Sequence, residues 1–260
     1  EGLSRVAAPL HQAMFGSLDP HAYSGIEEAC HKLAAGEVDL LLVPEVPEDL
    51  AQLTGGMEWE RFDLARSALV FYTTSENPAE GLTTEQLFSI YGGSGVKSWS
   101  ELGGPDKDFL AIATSRSIDD DRYQLDRLVL QGQPLNPLLE LESMVEENRQ
   151  VLYFTALAHT FPQGDGPFSR NAYCLGYDGF AASQNRPDIP QDSVKALKVD
   201  GVFPTEETIA DGSYPLAYRV QAVLPAGLPQ EHPARKLAAW LQTEKGHVLL
   251  RNAGLVPEKS

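Results

Sequence analysis

Between Ser24 and Ala34 the apolar residues are Ile26, Ala29, Cys30, Leu33 and Ala34, spaced i, i+3, i+4, i+7 and i+8. That spacing puts them on one face of a helix, which Gly36 ends. Val38-Asp39-Leu40-Leu41-Leu42-Val43 is almost continuously apolar and closed by Pro44, as in a strand covered on both faces. Ala68 to Thr74 is a second β-rich run, bounded by Asn77-Pro78. Thr83-Thr84-Glu85-Gln86 has the spacing of a capping box. It predicts a helix with Leu87, Ile90 and Tyr91 along one side, stopped by Gly92-Gly93.

The alternation continues. Trp99 to Gly104 reads as a short turn, Phe109 to Thr114 as a strand, and Asp119-Asp120-Asp121 as an acidic break. A helix then runs through Leu125, Leu128, Val129 and Leu130. Strand-like runs recur near Leu175 to Phe180, Val194 to Val199 and Tyr218 to Leu224. The C-terminal part predicts two helices, Pro233 to Gln242 with Leu237, Trp240 and Leu241 inward, and Gly246 to Ala253 stopped by Gly254. Strands alternating with helices indicate an α/β protein with substantially parallel sheet.

Composition narrows the function. The chain has 260 residues, enough for two lobes or one large domain, with 20 Lys+Arg against 37 Asp+Glu, a formal charge of -17. That balance argues against nucleic acid and anionic lipid as partners. The apolar runs are far shorter than a membrane span. No basic segment followed by an apolar one opens the chain at Glu1, so any signal peptide or anchor is expected to have been removed already. Cys30 and Cys174 do not make a disulfide framework and read as two buried small hydrophobes. The histidines are scattered, no metal set or cofactor loop emerges, and Ser94-Gly95-Val96-Lys97 reads as a glycine turn rather than a nucleophile motif. An enzyme is not expected.

Several stretches, in order along nearly the whole chain, resemble the phosphate-binding (PstS-type) solute-binding proteins of bacterial ABC importers. They are Gly36-Glu37-Val38-Asp39-Leu40, Asn77-Pro78 with Leu82-Thr83-Thr84-Glu85-Gln86-Leu87, and Trp99-Ser100-Glu101-Leu102-Gly103-Gly104. Val199-Asp200-Gly201-Val202-Phe203-Pro204-Thr205, Gly212-Ser213-Tyr214-Pro215-Leu216 and Gly246 through Pro257 complete the set. The resemblance implies a type II periplasmic-binding-protein fold: two α/β lobes joined by two crossovers, closing like a hinge on a ligand in the cleft. It places the crossovers after Val70-Phe71-Tyr72 and near Gly176-Tyr177-Asp178-Gly179. Lobe one is then residues 1–73 plus 179–260, and lobe two is 74–178. It also implies an extracytoplasmic monomer with an importer permease or a sensor as partner.

In that family helix N-termini, hydroxyls, one arginine and one acidic acceptor hold the anion, because free N–H groups and the positive helix end attract it. Carried onto this sequence, the first-strand turn becomes Glu1-Gly2-Leu3-Ser4-Arg5, which leaves Ser4 as a hydroxyl donor beside Arg5. The threonine opening the second helix falls near Asp19, and the acidic acceptor falls on Glu45. The diagnostic arginine and hydroxyl–glycine cradle becomes Ser115-Arg116-Ser117-Ile118-Asp119-Asp120-Asp121-Arg122. Arg116 stands about where expected, but three aspartates, Asp119, Asp120 and Asp121, replace the cradle.

A carboxylate about 4 Å from an anion costs roughly 4 kcal/mol at an effective dielectric near 20. The aspartates are therefore either solvated helix caps or cleft-facing groups that disfavour phosphate. Three functions follow. The first is a non-catalytic solute-binding domain with an altered phosphate site and another small ligand, cationic or zwitterionic. The second is a conventional phosphate-binding importer component, and the third a ligand-free interaction or sensor scaffold.

Overall fold

The computed structural model describes residues 26–45, 56–93, 96, 98–111, 113, 120–139, 172–183 and 194–258. Chain contacts divide it into two units, one up to Ser67 and again from Tyr218, the other from Ala68 to Ala217. The chain thus passes between the units at Ser67–Ala68 and at Ala217–Tyr218.

In the first unit, helix α1 (Ile26–Ala34) buries Ile26, Ala29, Cys30 and Leu33, the face the spacing predicts. It ends at Gly36, whose φ of 72° lets Glu37 N–H reach back to the Lys32 carbonyl at 2.9 Å. Strand β1 (Leu41–Pro44) pairs antiparallel with β8 (Ala217–Pro225), Leu41 facing Val223 and Pro44 facing Val220. Next to β8 runs β2 (Trp59–Thr74), a 16-residue strand that continues into the second unit. Its first half carries Glu60 at a half-covered position and Arg61 and Asp63 at exposed ones, and burial begins only at Leu64. That is why hydropathy marks only Ala68 to Thr74. Helices α6 (Pro233–Leu241) and α7 (Glu244–Asn252) lead to β9 (Val256–Pro257), antiparallel to β2.

One expectation fails here. Trp240 is 38% exposed, and α6 instead buries Ala234, Ala238 and Leu241. The start of α7 packs tightly on the end of α6, since a Cβ on Gly246 would overlap the Trp240 and Leu241 backbone.

The second unit contains the rest of β2, β3 (Gly81–Leu82), α2 (Thr84–Gly92) and β4 (Asp108–Ala111). Helix α3 (Asp120–Gln124) follows and widens into a π-turn over Leu125–Leu130. Then come β5 (Ala172–Gly179), α4 (Phe180–Ser183), β6 (Val194–Ala196), β7 (Lys198–Val199) and α5 (Glu206–Ala210). Both halves of the predicted capping box are present: Thr83 Oγ1 accepts from Gln86 N–H and Gln86 Oε1 from Thr83 N–H. Phe71, Tyr91 and Tyr177 meet as a ring cluster with centroids 5.8 to 6.0 Å apart in this unit's core. Tilted and edge contacts of this kind add about 0.5–1.5 kcal/mol each to the area they bury.

The sheet is mixed rather than substantially parallel. β4 is parallel to β5, but β1 with β8, and β2 with β5, β6 and β9, run antiparallel; β3 and β7 form a separate parallel pair. Parallel pairing needs a crossover between neighbours, whereas the long β2 collects strands that return from later in the chain. Both thiols are free and buried, and burial pushes Cys30 up to about 11 and Cys174 to about 12.

Candidate functional site

Of the residues singled out from sequence, Ser4, Arg5, Asp19, Ser115, Arg116 and Asp119 lie outside the described residues. Asp120 is the first residue of α3. Glu45 and Asp121 can be placed in atomic detail, each within its own unit.

Glu45 directly follows β1, where Pro44 removes a donor and closes the strand. Its N–H donates to the Arg219 carbonyl at 2.8 Å, extending the β1–β8 ladder by one residue. Its side chain is about one-third exposed, with Oε1 3.7 Å from Arg219 Nη1. The same guanidinium lies 3.5 Å from Asp63 Oδ2, and Asp63 Oδ1 accepts from Gln221 Nε2 at 2.7 Å. Arg219 and Gln221 are two apart on β8 and so present side chains to one sheet face. The expected acidic acceptor is thus one of two carboxylates sharing a single guanidinium.

Asp121 is only 4% exposed, and its Oδ2 accepts the N–H of Gly179, the last residue of β5, at 2.9 Å. The carboxylate is engaged by a backbone donor, as a cap would be, but the donor belongs to a strand and not to its own helix. Gly179 also donates to Asp178 Oδ1 at 2.9 Å. A Cβ there would lie 2.9 Å from Asp121 Oδ1, so the approach requires glycine. From the next residue, Arg122 Nε donates to Asp126 Oδ1 at 3.0 Å, both side chains about nine-tenths buried. This pair sits where the helix widens into its π-turn.

Sequence reasoning missed Arg219, Asp63, Asp178 and Gly179. Arg122 and Asp126 have the i, i+4 spacing of a helical ion pair and were legible. Arg219 and Gly179 carried no local signal, because their partners are distant in sequence. Among the described residues, no group of three or more His, Cys, Asp or Glu side chains is placed to hold a metal. No helix among them is long and apolar enough to cross a membrane.

A family model described as a PBP superfamily domain matches residues 21–136. The phosphate-binding protein PstS of Staphylococcus saprophyticus is 24% identical over 165 residues, which cover 62% of this chain. The matched part spans 46% of that relative's length. Among solved structures, an ABC-type phosphate transport receptor from Vibrio cholerae superposes with a TM-score of 0.70 at 21% identity, covering 98% of this chain and 96% of that one. PstS from Borrelia burgdorferi gives 0.61 at 17%, covering 99% and 96%. These likenesses establish the architecture as the type II periplasmic-binding-protein fold.

Proposed function

We propose that this chain, PstS-like in sequence and in fold, is a non-catalytic, extracytoplasmic solute-binding domain with an altered phosphate site. Ser4, Arg5, Asp19, Glu45, Ser115, Arg116, Asp119 and Asp120 are the residues that meet its small ligand, and Asp121 is held back from it. The domain acts as a monomer and hands the ligand to the permease of an ABC importer.

One observation carries this reading. The helix after Ser115-Arg116 opens with Asp120-Asp121, and the Asp121 carboxylate is committed to Gly179 N–H. The resembled family offers hydroxyls and a glycine amide at this place. Asp119 and Asp120 bring acceptors and negative charge instead, which oppose a phosphate dianion by roughly 4 kcal/mol for each carboxylate about 4 Å away. A ligand with a cationic group suits such a helix start better. Such a ligand is cationic or zwitterionic.

The second reading, a phosphate-binding importer component, draws on the acidic acceptor kept at Glu45 and on relatives whose own names refer to phosphate. Calorimetric titration with inorganic phosphate in buffer of about 10 mM ionic strength, where charge effects are screened least, separates the two. The altered site is expected to show no micromolar binding. Micromolar affinity would overturn it in favour of phosphate.

A further inference from the structure

Leu69, on β2, faces Gly179 across the antiparallel pair with β5. Its N–H donates to the Leu216 carbonyl at 3.0 Å, and its own carbonyl accepts the buried Tyr214 hydroxyl at 3.1 Å. Both of its backbone groups therefore point away from β5. In an antiparallel ladder that marks a pair in which neither residue bonds the other, so the Gly179 N–H also points outward, off the far side of β5. On that side β4 pairs with β5 from Asp108 with Ala172 to Ala111 with Leu175. Gly179, four residues further along β5, is buried, with a donor that needs an acceptor. Asp121 provides one.

The location gives this bond its meaning. Leu69 is the second residue after the chain enters the second unit at Ala68, and Leu216 is the last but one before it leaves at Ala217. One residue thus touches both passages, and the residue opposite it is held by Asp121. The Arg122–Asp126 pair, starting at the next residue, braces the same helix.

We propose that Asp121 is a positioning residue, tying the start of α3 to the backbone at both chain passages. The tie itself does not depend on which ligand binds.

Hydrogen–deuterium exchange of the intact chain without ligand tests the tie. Asp121→Ala should speed exchange at least tenfold in peptides covering 174–180, 68–72 and 214–218, relative to α2 and α6 as internal references. Asp121→Asn retains a carbonyl oxygen for Gly179 and should restore the wild-type pattern. Should the passage peptides exchange no faster than the references, or Asn fail to restore protection that Ala removes, the proposal is overturned. Melting provides a second check should Asp121→Ala fold poorly. Gly179→Ala drives a Cβ onto Asp121, so its loss should be large in the wild-type chain and much smaller beside Asp121→Ala. Additive losses would also overturn the proposal.

Discussion

Arg235 grips Glu60 with both arms of its guanidinium: Nη1 donates to Oε1 at 2.6 Å, and Nη2 lies 2.6 Å from Oε2. Hydrogen bonding from Arg235 holds the Glu60 carboxyl below its ordinary value of 4.5. Desolvation works against that shift, and the charge attraction adds to it. A carboxyl depressed in the folded state stabilises it at pH above the unfolded value, and the contribution disappears as pH falls through the folded value. Glu60→Gln should therefore melt below wild type near neutral pH, and the gap should close as pH falls below 4.5. A gap that stays constant on acidification would mean that the residue acts by packing alone. The pair ties the first half of β2 to α6, and neither residue stood out in the sequence. Two ordinary surface-type residues become a bidentate clamp only once strand and helix are assembled.

Helix α2 shows what local pattern can and cannot reveal. Its capping box and its buried face of Leu87, Ile90 and Tyr91 were readable, because both depend on residues a few positions apart. Its remaining cap was not. Asp200 Oδ1 accepts Thr84 N–H at 2.9 Å and Oδ2 accepts the Thr84 hydroxyl at 3.0 Å, from a position 116 residues away. Asp200 also adopts φ 49°, a left-handed conformation that Asn and Asp tolerate better than most residues. Losing the cap costs about 1 kcal/mol, and left-handed backbone at an ordinary residue about another. Asp200→Ala should thus lower stability in urea by about 2 kcal/mol, with Asp200→Asn losing half of that or less. Equal losses would show that charge, rather than backbone tolerance, dominates. Trp240 and the long β2 were misread for the opposite reason. Which face a helix buries, and where a charged strand begins, depend on neighbours that hydropathy does not contain.

At the scale of the molecule the fold was legible through many short matches in order, whereas the site was not. Sequence could count the aspartates after Arg116 but could not tell that one of them faces inward to serve β5. Net charge remains the other global quantity. With 20 cationic and 37 acidic side chains, 17 carboxylates would lack a cation even if every cation were paired. Pairs such as Lys32–Glu28, Lys198–Glu80 and Lys236–Glu231 are exposed on at least one side, and each contributes about 0–1 kcal/mol, less as salt rises. Salt weakens those pairs, but it also screens repulsion among the unmatched carboxylates, which acts over longer distances. The Debye length shrinks from roughly 30 Å at 0.01 M to about 8 Å at 0.15 M, so the long-range repulsion is removed first. The melting temperature should therefore rise by a few degrees between those two ionic strengths, following the screening length rather than the identity of the salt. A fall over the same range would mean that the paired charges outweigh the unpaired ones, and that the excess acid lies far enough apart to be inert.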